Sequence, residues 1–243
     1  MNNQKRLLVI FLLTALFMMI GCERKQPIHI MLDPGHTINE PGALGANGDF
    51  EREYNDRLVQ EISELLRKSS RFQVSVSRSS AEEVSLSERV VRANSLNVDL
   101  FLSIHHDSVS EEKLEKTFRD GRFIAVSKEP KSGYSLFVSQ ENPKLSDSIS
   151  FAVDIGLAME KIGRHPLPVV GETVYREQRR LMNKRFAIFQ YDSLAVLRGT
   201  QMPAVLFEVG FIVDRKDERF VRVHVREIAK QVVSAVEAFA RRR

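Results

Sequence analysis

The 243-residue sequence predicts an α/β fold, a single domain with a mixed, mostly parallel twisted sheet and helices on both faces. Three observations predict it. Short apolar runs alternate with stretches at helical period, the pattern that produces a largely parallel sheet. A long glycine-rich loop follows the first of those runs, and loops of that length in compact domains usually carry function. The chain beyond residue 21 is long enough to bury one sizeable core without a second domain.

Taken in order, Ile28-His29-Ile30-Met31-Leu32 is a β-type run closed by Asp33-Pro34-Gly35, a turn signal. Residues 33–50 form the glycine-rich loop, with Gly35, Gly42, Gly45 and Gly48. A helix is expected from about Tyr54, with Leu58, Ile62, Leu65 and Leu66 on one stripe. Phe72–Val76 alternates as a strand, and Ser85-Leu86-Ser87-Glu88 is a capping box opening a helix through Leu96. Asp99–Ile104 reads as a buried strand running into His105 and His106. Glu111–Lys116 reads as a solvated helix, Tyr134–Ser139 as a strand and Ser148–Ile162 as an amphipathic helix. Residues 163–192 read as an irregular excursion, Ala195-Val196-Leu197 and Ala204–Val209 as strands. A helix from about Val221 to Ala240 precedes a frayed Arg241-Arg242-Arg243.

The first 21 residues are expected to lie outside the fold. Lys5 and Arg6 make a positive start, and the uncharged stretch Leu7–Ile20 suits a secretory signal better than a membrane span, which needs ~20 residues. Met19-Ile20-Gly21-Cys22 resembles a bacterial lipobox. Cys22 is the only cysteine, so no internal disulfide can form, and lipidation accounts for the thiol. An uncleaved anchor and ordinary signal cleavage are the competing readings. The expected divisions are a signal peptide over 1–21, a short tether over 22–27 and a catalytic domain over 28–241. An exported, periplasm-facing lipoprotein held to a membrane by its lipid follows. Losing Lys5 and Arg6 lowers the formal charge of +4 by two, a balance that excludes a dedicated nucleic-acid surface.

Four short segments suggest zinc hydrolysis. His36 and His105 each follow a predicted strand, Glu51 follows the glycine-rich loop, and Glu208 sits in Glu208-Val209-Gly210-Phe211 at the end of another strand. Two imidazoles and a carboxylate leave one zinc position open for water, and a further glutamate could take its proton. Glu53 competes with Glu51 in the same turn. His105 shares the Phe101–Ser103 face, whereas His106 should point to the other. Arg198 and the Arg176, Arg179 and Arg180 group are candidates for binding substrate carboxylates, with a solvated face as the simpler reading.

Asp33-Pro34-Gly35-His36, Glu40-Pro41-Gly42-Ala43-Leu44-Gly45 and Glu51-Arg52 resemble the opening of the zinc-dependent N-acetylmuramoyl-L-alanine amidases. Ser103-Ile104-His105-His106-Asp107 is similar to their second histidine motif, and Val196-Leu197-Arg198 with Met202–Phe211 to their closing strand. The resemblance spans about residues 28–240. It implies Zn2+ held by His36, Glu51 and His105, Glu208 as acid/base, and peptidoglycan as substrate, cut between N-acetylmuramic acid and L-alanine. Thr37-Ile38 replaces the family's usual Gly-Gly, and 107–195 matches less clearly. Some cell-division amidases carry a plugging helix there that a partner removes. The chain is expected to be a monomer, and an activating protein partner is left open. A zinc exopeptidase and an inactive wall-binding lipoprotein are the rival readings.

Overall fold

In the computed structural model, residues 26–168, 173–174 and 179–243 are described. The expected signal peptide, Cys22 and Arg176 lie outside them. The strands are β1 (Ile28–Pro34), β2 (Phe72–Val76), β3 (Leu100–Asp107), β4 (Leu114–Arg119), β5 (Arg122–Ser127), β6 (Ser135–Val138), β7 (Thr173–Val174), β8 (Arg179–Asn183), β9 (Ile188–Gln190) and β10 (Ala204–Phe211). The helices are α1 (Glu51–Leu66), α2 (Leu86–Ser95), α3 (Leu145–Glu160), α4 (Ala195–Gly199), α5 (Arg215–Val223) and α6 (Val225–Arg241).

Eight strands form one sheet in the order β2-β1-β3-β10-β6-β9-β8-β7. The half that matters for function, β2-β1-β3-β10, is parallel throughout. Parallel pairing puts the carboxyl ends of β1, β3 and β10 along one edge, where open α/β sheets gather ligands. Alternation divides β3 cleanly. Leu100, Leu102 and Ile104 pack beneath α1, α3 and α6 with Leu58, Phe151 and Val232, while Phe101 joins Met31, Leu206 and Val196 on the opposite face. Helices therefore cover both faces. Burying each of these side chains contributes about 1.5–3 kcal/mol.

Several local expectations are corrected. Glu111–Lys116 is one 3-10 turn, Glu111–Lys113, followed by β4, which pairs antiparallel with β5. Asp120 (φ 52°) and Gly121 (φ 82°) make the turn, and this hairpin geometry outweighs the charge pattern. Residues 163–192 contain β7, β8 and β9, of two, five and three residues, and the polar residues of β8 hide its strand. Ala195-Val196-Leu197 belongs to the short helix α4, an ambiguity inherent in brief apolar runs. The last helix is two, α5 capped by the Asp214 carboxylate and α6 beginning after His224, whose Nδ1 meets the Phe220 carbonyl at 3.0 Å. The terminal arginines are pinned rather than frayed: Arg242 pairs with Asp154, and Arg243 reaches Asp99 at 2.8 Å.

Candidate metal centre

The site begins with how β1 ends. Asp33 is buried and fully engaged: its Oδ2 accepts the Ser103 hydroxyl at 2.7 Å, its Oδ1 accepts Arg89 at 2.9 Å, and Ser77 donates to it as well. Arg89 also donates to the carbonyls of Pro34 (2.7 Å) and His36 (2.8 Å), and Arg78 to those of Pro34 (3.1 Å) and Gly35 (2.9 Å). Three successive carbonyls are thus held by guanidinium groups, which lock His36 into a left-handed conformation with φ 67°. A non-glycine residue in that region is strained and persists only where its surroundings over-determine it. Sequence reasoning missed Arg78 and Arg89, since an arginine in a polar stretch carries no signal of its later burial.

Gly35 is required by close approach. A Cβ there would fall inside the His105 ring. Gly42, at φ +77°, presses on the other side, where a Cβ would lie 2.8 Å from both Glu51 Cβ and His36 Cδ2. Glu51 is the first residue of α1, three positions earlier than the periodicity suggested, so its carboxylate lies under both imidazoles. Its Oε2 is 2.9 Å from His36 Nε2 and its Oε1 is 2.9 Å from His105 Nδ1. Glu53, the competing candidate, instead accepts the Phe50 backbone N–H at 2.7 Å as a helix cap.

His36, Glu51 and His105 offer ligand atoms that all lie within 4.8 Å of one another. The rings meet edge to face, centroids 5.1 Å apart. Burial works to raise the Glu51 carboxyl pKa, but hydrogen bonds from His105 and His36 outweigh it and hold the group below the usual range. His36 Nδ1 contacts the Glu40 carbonyl at 3.2 Å, an outer contact of the kind that sets the tautomer of a ligating imidazole and leaves Nε2 facing the centre. As alternation predicts, His106 turns away. It is buried on the α1 side with Nδ1 2.8 Å from Asn55 Oδ1, and burial lowers its pKa to about 3.

Glu208 completes the arrangement. It is in register with His105 on the adjacent strand, and a bulge between Glu208 and Phe211 turns β10 there. Gly210 leaves room for buried Arg164, which pairs with Asp217 and donates to the Val209 carbonyl at 2.9 Å. Glu208 lines a cleft of about 400 Å³ with His36, His105, Arg89 and residues 193–196. Its Oε2 is enclosed without a hydrogen-bond partner among the described residues. Burial, then the charges of Asp107 and Glu51, push its pKa well above the ordinary carboxylate range, against the opposing charge of Arg179. A carboxylate oxygen enclosed without a hydrogen-bond partner needs an explanation, and this one belongs to a side chain lining a cleft beside a metal-type donor set.

The family model for N-acetylmuramoyl-L-alanine amidase matches residues 30–238. The chain belongs to this amidase family of hydrolases. Among its relatives, the probable amidase AmiB of Haemophilus influenzae is 26% identical over 232 residues, covering 88% of this chain and 52% of that protein. The amidase LytC of Bacillus subtilis is 28% identical over 222 residues, covering 89% and 36%. The chain spans about half the length of the curated relatives it matches. Solved amidase structures share its fold. The Mycobacterium smegmatis enzyme superposes with a TM-score of 0.69 at 18% identity, over 89% of this chain and 98% of that one. The CwlD amidase of Clostridioides difficile, solved in complex with the GerS lipoprotein, gives 0.63 at 19% identity, over 87% and 97%.

The amidase family is generally zinc-dependent. The donors here fit that metal: two imidazoles and one carboxylate, with both histidines lining the same cleft as Glu208. Arg198 lies on the exposed face of α4 and does not line the cleft, although the residues just before it do. Arg179 lies over the rings of Phe137 (4.8 Å) and Tyr191 (5.1 Å). Among the described residues, no helix between 107 and 194 plugs the cleft, because α3 is buried against the core through Phe151, Ile155 and Met159.

Proposed function

We propose that this chain is a zinc-dependent amidase that hydrolyses the bond between the lactyl carbonyl of N-acetylmuramic acid and L-alanine in peptidoglycan. The observation that carries this reading is the convergence of His36, Glu51 and His105, with both histidines in one cleft with Glu208, whose Oε2 is enclosed without a hydrogen bond among the described residues and whose pKa is raised. We assign His36, Glu51 and His105 to zinc and Glu208 to proton transfer. When bound, zinc would supply a Lewis acid that acidifies a water and polarises the scissile carbonyl. The residues do the rest. Glu208 accepts a proton from the water as its oxygen bonds to the carbonyl carbon, then delivers a proton to the alanine nitrogen as the carbon–nitrogen bond breaks. A carboxyl with a raised pKa is suited to both transfers. The Asp33–Arg89 pair keeps His36 in place throughout.

The protein would act as a monomer outside the cytoplasm, held to a membrane by lipid on Cys22 after removal of residues 1–21, with residues 22–27 as tether. Arg198 is a secondary candidate for the stem-peptide carboxylates, from outside the cleft. The deciding experiment incubates purified sacculi with the protein, with and without chelator, and analyses the released material by mass. An amidase liberates whole stem peptides bearing a free L-alanine amine, and chelation stops it. Shortened peptides with that linkage intact would indicate an exopeptidase. Zinc binding without release would indicate a wall-binding protein.

A further inference from the structure

A second concavity lies beside the metal centre, on the far side of the glycine-rich loop. It is a groove of about 540 Å³ between that loop and the β4–β5 hairpin, lined by Phe50, Val109, Leu114 and Phe123 and by Gly42. Gly42 is also the residue packed against Glu51 and His36, so the groove and the centre share a wall. Phe50, Phe118 and Phe123 are 40%, 62% and 68% exposed, and they are the only exposed phenylalanine or tyrosine rings among the described residues. Phe50 and Phe123 line the groove, and Phe118 is the hairpin neighbour of Phe123. Phe118 and Phe123 face each other across the hairpin with centroids 5.1 Å apart.

Rings left in water on a small domain call for an occupant. The hairpin is not loose: Ala125 N–H donates to the Gly45 carbonyl at 3.2 Å, Ser127 N–H to the Val213 carbonyl at 2.8 Å, and Arg122 to the Asn47 carbonyl at 3.1 Å. A Cβ on Gly48 would lie 2.9 Å from the Phe123 carbonyl, so loop and hairpin are in direct contact. The groove is therefore preformed, and its polar elements include Ser108 and an ion pair between Lys116 and Glu111 at 2.7 Å.

We propose that this groove holds the glycan strand of the substrate, with Phe123 and Phe50 stacking against the sugar rings on the far side of the cleaved linkage from the peptide. One face of a pyranose presents C–H bonds with partial positive charge, complementary to the negative face of an aromatic ring. The hydroxyl and acetamido groups around its edge match the Lys116–Glu111 pair and Ser108. A muramoyl residue reacting at the centre must carry its neighbouring sugars outward, and the groove shares Gly42 with that centre. A lipid surface is disfavoured by location, because the rings stand at the carboxyl edge of the sheet, whereas the chain enters β1 at Ile28 on the opposite edge. The inference rests on the amidase reading and adds to it the part of the polymer recognised.

The chain contains no tryptophan, so Phe123→Trp in the full chain places a single reporter in the groove. Glycan strands stripped of stem peptides should change its emission saturably, whereas Leu157→Trp on exposed α3 should show no change. Phe123→Ser and Phe50→Ser should lower kcat/KM on sacculi relative to a short soluble muramoyl peptide at least fivefold, with Phe123→Trp restoring the ratio. Absence of any emission change, or an unaltered ratio in both serine variants, overturns the inference. So does a change produced by anionic vesicles and not by glycan. If the unmodified chain releases no stem peptides from sacculi, the amidase reading fails instead. The emission titration still reports on glycan binding in that case.

Discussion

Glu208 on β10 is in direct register with His105 on β3, so the proposed proton carrier and a proposed metal ligand ride on adjacent parallel strands. Their relative placement is set by the sheet's own hydrogen bonding rather than by loops. The two roles should therefore separate cleanly under mutation. Glu208→Gln should reduce release of stem peptides from sacculi by about 10²–10⁴-fold while zinc content, measured by elemental analysis, stays near one per chain. His36→Ala should lose both. Full activity in Glu208→Gln would remove that residue from the mechanism.

Gly35→Ala is expected to act on the metal without touching a ligand. Its methyl group would occupy space now filled by the His105 ring. Contacts that orient ligating histidines typically affect affinity by about 10–100-fold, and a weakening of that order should appear in competitive titration with a zinc chelator.

Arg89 and Asp33 form a nearly fully buried ion pair. Removing one partner from such a pair leaves a buried charge uncompensated and commonly costs about 3–5 kcal/mol. Arg89→Ala should lower the urea midpoint accordingly. A residual folded fraction should also show weaker zinc binding, because the His36 carbonyl loses its donor.

His106 makes stability depend on pH. Its folded pKa, about 3, lies below the ordinary 6.5, so the unfolded chain binds the extra proton between those values. Stability is then fully present above about pH 6.5 and falls as pH drops towards 3, by at most about 1.4 kcal/mol per pH unit. Metal-free protein should show this slope in denaturant midpoints, and metal-free His106→Gln should show a shallower one. Equal slopes would exclude His106 as the cause.

The four candidate segments stood out through short motifs that together resemble the family's, each carrying only a weak local signal alone: His36 follows β1, Glu51 opens α1, and His105 and Glu208 lie towards the carboxyl ends of β3 and β10. Alternation along β3 sufficed to choose His105 over His106. The scaffold around them was not readable. Arg78 and Arg89 hold the first histidine's turn only because β1, α1 and α2 converge, and no residue near either arginine announces that meeting. The hairpin was misread for a related reason. Its lysines and glutamates imitate a solvated helix, and only the Asp120-Gly121 turn, a two-residue signal, says otherwise.

Strand β1 runs from Ile28 to Pro34, with His36 just beyond, a span of ~20 Å at strand geometry. Whatever precedes Ile28 therefore joins the body at one pole, and the mouth of the candidate metal centre opens at the other. A molecule moored through Cys22 would stand with its back to the bilayer and its working end turned outward. Its reach would then be governed by the thickness of its own body rather than by a swinging linker.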